Sequence, residues 1–185
     1  MKTKVKHIAG IQTGLFAKPI VDGEVVYLQA KHFDEEGNLQ RSLTPDLPAK
    51  NIGEKHLLIP GDVLFAAKGT KNFASVFGPQ HPPSVASTSF FVLRLNNDQV
   101  LPEFLAWFLN HPTTQQILKG QAIGSSIVSI SKTVLEELDI SVPSRNIQEK
   151  ILHISRLRNI EKNLKQEIEA LREKQIQQQI LNAIK

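Results

Sequence analysis

The stretch NIQEKILHISRLRNIEKNLKQEIEALREKQIQQQILNAIK, residues 146–185, decides the architecture of this chain. It contains no Gly and no Pro, and it is rich in Glu, Lys, Gln, Arg, Leu and Ile, which favour helix. Apolar residues recur at Ile147, Ile151, Ile154, Leu157, Ile160, Leu164, Ile168 and Leu171. Those steps of three and four draw one stripe along one side of a helix. Ile176, Ile180 and Ile184 continue the stripe after a step of five, which shifts its phase near Lys174. The helix is expected to run roughly 60 Å at 1.5 Å per residue. A domain of modest size covers part of such a helix. The remaining stripe, carried by Ile154, Leu157, Leu164, Ile168 and Leu171, then needs a partner helix from this chain or another. The alternative is a helix folded back on its own domain.

Upstream, Pro143 punctuates the approach to the helix. Asn146 with Glu149 three residues later can form a capping box, and Ser144 is an equally good cap. The expected division is therefore a globular unit over 1–145 and a helix over 146–185.

Within the globular unit, Asp22-Gly23 marks a turn and Val25 to Leu28 a strand. Pro60-Gly61-Asp62 turns into a strongly apolar strand from Val63 that ends on Lys68-Gly69-Thr70, with Phe73 to Phe77 returning as a hairpin. Val85 to Leu95 reads as another strand. Pro102 to Asn110 is a buried helix with Pro in its first turn, and Thr113 to Lys119 a second helix ending at Gly120. Lys132 to Leu138 is a short helix and Asp139 to Val142 a short strand. Strands lead and helices follow, so the class is α+β: a mixed, β-rich domain followed by one long C-terminal helix.

Composition narrows the function classes. The chain has 185 residues, of which 41% are hydrophobic and 22% charged, ordinary values for a soluble globular protein. It has no cysteine, which excludes disulfides and thiolate chemistry and fits a reducing compartment. No apolar run reaches the length of a membrane span, and the basic start Met1-Lys2-Thr3-Lys4 lacks the apolar stretch of a signal peptide. The expectation is a cytoplasmic protein away from membranes. Net charge is +4. Before Asn146 there are 14 basic residues against 13 acidic ones, so a nucleic-acid surface there has to come from local clustering.

The sequence lacks a phosphate loop, a dinucleotide fingerprint, a His-Glu-x-x-His motif and a nucleophile elbow. Its six histidines lack ligand spacing, so neither metal nor cofactor is expected. Asp62 and Lys68 could start a nuclease strand, but the second acid beside the lysine is missing, and Asp62 reads better as a turn cap. No catalytic residue is expected. Binding chemistry is better represented. Lys68, Thr70, Lys71 and Asn72 cluster at a strand end, with Gly69 allowing close backbone approach. Such a loop can meet phosphates through lysines and amides, and base edges through Asn. The alternative is a solvated hairpin tip. Lys31-His32 is a second candidate, and Lys119-Gly120-Gln121 with Gly124-Ser125-Ser126 a third.

In order, these motifs resemble the DNA specificity subunit of type I restriction–modification systems. The resemblance rests on Val5-Lys6-His7-Ile8-Ala9 through Gly14, then Val26-Tyr27-Leu28 with Gly37-Asn38-Leu39. Gly61-Asp62-Val63-Leu64-Phe65 with Lys68-Gly69-Thr70 is its most characteristic part. Pro102-Glu103-Phe104-Leu105 through Asn110 follows, and Gly124, Ile130-Ser131, Leu135, Leu138, Ile140 and Val142-Pro143 close it. Each motif is short, but together they span nearly the whole chain.

The resemblance implies a target recognition domain over 1–145, joined to a helix over 146–185 that pairs as an antiparallel coiled coil. It implies a non-catalytic subunit that selects a double-stranded DNA sequence for methyltransferase and restriction/translocase subunits. Full-length members carry two such domains, so this chain resembles a half-subunit that forms a homodimer. Members often have a Glu-Gln pair soon after the proline, where this chain has Ile147-Gln148-Glu149. The competing class is a coiled-coil interaction or regulatory protein whose globular unit binds protein.

Overall fold

The computed structural model of the protein describes residues 2–34, 37–40, 42–69, 71–122 and 128–184. The chain divides into two compact units, Met1–Gln148 and Glu149–Lys185. The class is α+β, with strands concentrated in the first hundred residues and helices after them.

The first unit opens with strand β1 (Lys2–Lys4), one helical turn α1 (Val5–Ile8) and β2 (Ala9–Thr13). Strand β3 (Val26–Leu28) follows, then β4 (Val63–Ala66), the short β5 (Lys68–Gly69) and β6 (Ala74–Val76). Val63, Leu64, Phe65 and Ala66 are all buried. A strand buried on both faces reads as a continuous apolar run, which is how this one appears in the sequence. The run expected as one strand from Val85 to Leu95 is two: β7 (Ser84–Ala86) and β8 (Phe90–Leu95). Between them the chain turns, with the Phe90 amide donating to the Ser87 carbonyl at 2.9 Å. Ser87, Thr88 and Ser89 interrupt the apolar pattern, and small hydroxyl residues favour turns.

The main sheet has the order β2-β8-β4-β6 and is antiparallel throughout. β7 leaves it to pair in parallel with β3, Val26 opposite Ser84 and Leu28 opposite Ala86. One core cluster joins Leu64, Ala66, Phe90 and Val92 to Leu28, Phe33, Phe73 and Phe77. In it the rings of Phe33 and Phe73 lie 5.1 Å apart and those of Phe33 and Phe90 5.2 Å. A second cluster comprises Val25, Tyr27, Leu47 and Val85, with Leu15 and Ala17 packed against it.

Helix α2 (Pro102–Asn110) packs on β4 and β6 and buries Phe104, Leu105 and Leu109. Its last residue clamps the sheet: Asn110 Nδ2 donates to the Ala74 carbonyl, and the Ala74 amide donates to Asn110 Oδ1, both at 2.7 Å. Helix α3 (Pro112–Gly120) follows directly, its N-cap His111 accepting from the Thr113 amide at 3.4 Å. Strand β9 (Val128–Ser129) pairs with β5, and helix α4 (Lys132–Glu136) is capped by the Ser131 hydroxyl. Strand β10 (Asp139–Ser141) pairs antiparallel with β1. Lys4 and Lys6 both reach Glu137 across this closure.

Helix α5 (Arg145–Ala183) begins one residue earlier than expected. The Ser144 carbonyl accepts from the Ile147 and Gln148 amides, so Ser144 stands at the cap. Asn146 lies inside the first turn, too late to cap it. Gln148, fully buried, closes the first unit by bonding to Gln99, Leu101 and Pro143.

In the second unit, Glu149–Lys185, helix α5 continues to Ala183. The helix passes the step of five between Leu171 and Ile176 without a break. Ion pairs Lys165–Glu161 at 2.6 Å and Arg172–Glu169 at 2.9 Å lie along it, each worth a few tenths of a kcal/mol at exposed helical sites. The apolar stripe is exposed, with Leu164 at 53% and Leu171 at 59%.

Candidate nucleic-acid interface

The strand registers bring Lys31, His32, Lys68 and Lys71 to one end of the main sheet. β2 ends at Thr13 opposite Phe91, and β4 ends at Ala66 opposite Phe90, where β8 begins. β6 begins at this same end, Ala74 opposite Phe65. β3 ends here as well, because the Leu28 carbonyl accepts from the Ser87 amide at 2.9 Å. Loops leaving β2, β3 and β4 and the loop entering β6 therefore share one edge.

Lys68 stands on this edge, exposed, on a backbone pinned from two sides. The Ala67 and Lys68 amides both donate to the Ser89 carbonyl, and the Ile130 amide donates to the Ala67 carbonyl. Gly69 has φ +142° with open space where a Cβ would stand. The backbone conformation rather than crowding demands glycine there. Lys71 is exposed. Thr70 lies outside the described residues, as do Ser125 and Ser126 of the third candidate loop and Gly124 beside them. Strand β9 pairs with Lys68–Gly69, Ser129 opposite Lys68 and Val128 opposite Gly69.

Asn72 departs from its expected orientation. It is buried, and its Nδ2 donates to the Ala66 carbonyl at 2.8 Å. Its carboxamide closes the loop from inside and is not presented outward as a base reader. With Asn110 gripping Ala74 two residues on, both sides of the turn into β6 are held by side-chain amides. Nothing local in the sequence points to Asn110, because its partner lies 36 residues away.

Lys31 and His32 sit in a single 3-10 turn, Ala30–His32, immediately after β3. His32 Nδ1 accepts from the Gln29 amide at 3.2 Å. Partial burial and then the neighbouring Lys31 charge hold its pKa below the usual histidine range. With Nδ1 accepting, the neutral ring carries its proton on Nε2, while Lys31 beside it is exposed and supplies the charge. This edge gathers cations, glycine backbone and turn amides, a set suited to phosphate oxygens.

At the opposite end of β4, Asp62 is a structural residue, as its turn setting led us to expect. Its carboxylate accepts from the Ile59 amide at 2.9 Å and from Arg94 Nε and a terminal guanidinium nitrogen at 2.8 and 2.7 Å. Among the described residues no cluster of His, Asp and Glu is arranged to hold a metal. No helix among them is long and apolar enough to cross a membrane.

A family model described as the type I restriction modification DNA specificity domain matches residues 21–170. The chain belongs to this family. The fold of this specificity-domain chain agrees with solved relatives. It superposes on the S subunit of a type I restriction–modification system from M. genitalium with a TM-score of 0.59, at 16% identity, over 88% of this chain and 41% of that one. The HsdS subunit from Thermoanaerobacter tengcongensis gives 0.62, again at 16% identity, over 88% of this chain and 37% of that one. A chain from a structure on the assembly and conformational transition of the type I R-M system gives 0.61 at 16% identity, over 88% and 38%. The specificity-domain chain thus spans about two fifths of the length of these structures. At that identity the likeness concerns the fold. No curated protein matches the sequence.

Proposed function

We propose that this chain selects a specific duplex DNA sequence for a type I restriction–modification complex and performs no chemistry itself. The observation that carries this reading is the gathering of Lys31, Lys68 and Lys71 at one sheet end, in a chain of the specificity-domain family. Those lysines would meet phosphates, and the glycine-containing backbone between them would set how closely the duplex approaches. The 1–145 domain is then the target recognition domain, and the helix over 146–185 its spacer and association element.

The exposed stripe on α5 pairs with a second helix, most simply that of another copy in antiparallel orientation. A two-fold pair carries two identical recognition units, so its target is two inverted half-sites at a set spacing. Methyltransferase and restriction/translocase subunits are the partners that would read out this binding.

Selection of bound duplexes from a random pool, with purified chain and methyltransferase subunit, tests the reading. It is supported by enrichment of one bipartite sequence and by affinity falling steeply with salt, because counterion release accompanies phosphate contact. An unenriched pool, or binding insensitive to salt, would overturn it in favour of a protein-binding module.

A further inference from the structure

An aromatic side chain stands at the same edge as the lysines. Phe16, on the loop leaving β2, is 76% exposed. Its neighbours on both sides turn inward: Leu15 and Ala17 pack against the cluster of Val25, Tyr27, Leu47 and Val85. The buried Tyr27 hydroxyl brackets the position, donating to the Leu15 carbonyl at 3.1 Å and accepting from the Ala17 amide at 3.3 Å. The Leu15 amide donates to Ala86 and the Gly14 amide to Phe90. A Cβ on Gly14 would fall 2.1 Å from the Ser87 carbonyl oxygen, so only glycine lets the loop press this close. The backbone around Phe16 is tied down and the inward sites beside it are filled, so the ring is held outward.

Its position relates it to charge. Leu15 bridges Ser87, and Ser87 also bonds Leu28, whose chain continues to Lys31. Two residues on, Ser89 holds the Lys68 amide. Lys18, also exposed, follows Phe16 in the same loop. The other exposed apolar residues of this loop, Ile20 and Val21, lie farther along, where the Ile20 amide bonds Asp46 and the chain turns back toward the start of β3.

We propose that Phe16 makes direct apolar contact with the bases of the duplex that docks on this lysine-bearing edge. The inference rests on the reading of that edge as the DNA-facing one. Phosphate-attracting lysines on the same edge as an outward ring favour a nucleic acid over an apolar protein surface. Apolar side chains placed this way press between or against base steps. A backbone already tied down on both sides of the ring loses little freedom on binding.

The test compares the full chain with Phe16→Ala and Phe16→Trp on the duplex enriched by the parent, titrated at several salt concentrations. Phe16→Ala is expected to weaken binding roughly tenfold or more, as loss of a base–aromatic contact does. The salt slope stays unchanged, because no phosphate contact is removed, and preference relaxes at one base-pair position. Phe16→Trp restores affinity. Thermal unfolding of Phe16→Ala matches the parent, because the ring is exposed. Equal affinity and preference for parent and Phe16→Ala would overturn the inference while leaving the DNA reading standing. So would a defect seen only in binding the methyltransferase subunit, which would mark a protein-docking ring. A parent that binds no duplex overturns both.

Discussion

Gln148 Oε1 accepts a hydrogen bond from the Leu101 amide at 2.9 Å, across 47 residues of sequence. Its Nε2 donates to the Gln99 carbonyl at 2.8 Å and the Pro143 carbonyl at 2.9 Å, so this buried carboxamide is fully used. It ties the first turn of the long helix to the segment entering α2. Gln148→Ala strands an amide and two carbonyls, and should lower stability by about 2–3 kcal/mol. Gln148→Glu should do no better, since a second oxygen would face two carbonyls. Urea unfolding checks both, and a loss below about 0.5 kcal/mol would show the latch to be dispensable.

Asn72→Ala should act on stability rather than on base preference. The carboxamide is buried and satisfies the Ala66 carbonyl, so its removal should cost about 1–2 kcal/mol. Denaturation and duplex selection run side by side separate the outcomes. A changed sequence preference with unchanged stability would return Asn72 to the interface.

Lys68→Ala and Lys71→Ala should each weaken binding to all duplexes alike and flatten the salt slope by about one unit. Affinity titrations between low and physiological salt measure this. A slope identical to the parent in both variants would take the β4–β6 loop out of the interface.

Leu164→Asp with Ile168→Asp should yield monomers that keep a folded first unit. Both side chains are exposed on α5. Pairing that buries them gains roughly 1.5–3 kcal/mol each before ordering costs. Light scattering and near-ultraviolet spectra of parent and variant decide the point. A monomeric parent at high micromolar concentration would rule out self-pairing and leave a different specificity helix as the partner.

Lys4 and Lys6 together pull the Glu137 carboxyl down to about 2 from an ordinary 4.5. A depressed carboxylate stabilises the fold above its unfolded value, and that contribution fades as pH falls through the folded one. The urea midpoint of Glu137→Gln should therefore lie below that of the parent above pH 5. The two should converge between about 4.5 and 2. Added salt should shrink the gap, since the pair is exposed. A gap that persists unchanged at pH 2 would show that the charge is not its source.

Helical periodicity is a local property. The run from Asn146 onward therefore announces one long helix, and Leu164 and Ile168 an apolar stripe, from sequence alone. The apolar run from Val63 likewise declares a strand and the Pro60-Gly61-Asp62 turn its start, but the stretch expected to reach Lys68-Gly69-Thr70 as one strand is two, β4 ending at Ala66 and β5 at Lys68–Gly69. Ser144 against Asn146 as the cap was beyond sequence reasoning, because both residue types suit the role and only the helix start decides.

The edge itself was decided by pairing between distant segments. Lys31 and Lys68 share it because β3 lies beside β7 and β4 beside β8, registers that no local pattern encodes. Asn72 turned inward because the Ala66 carbonyl, at the end of a buried strand, had to find a donor. Phe16 turned outward because Leu15, Ala17 and Tyr27 had already filled the space beneath it. The sequence by itself determined which elements form, through short-range periodicity and turn chemistry. Which side chains face a partner depended on long-range packing and hydrogen-bond satisfaction, which exist only once the chain has folded.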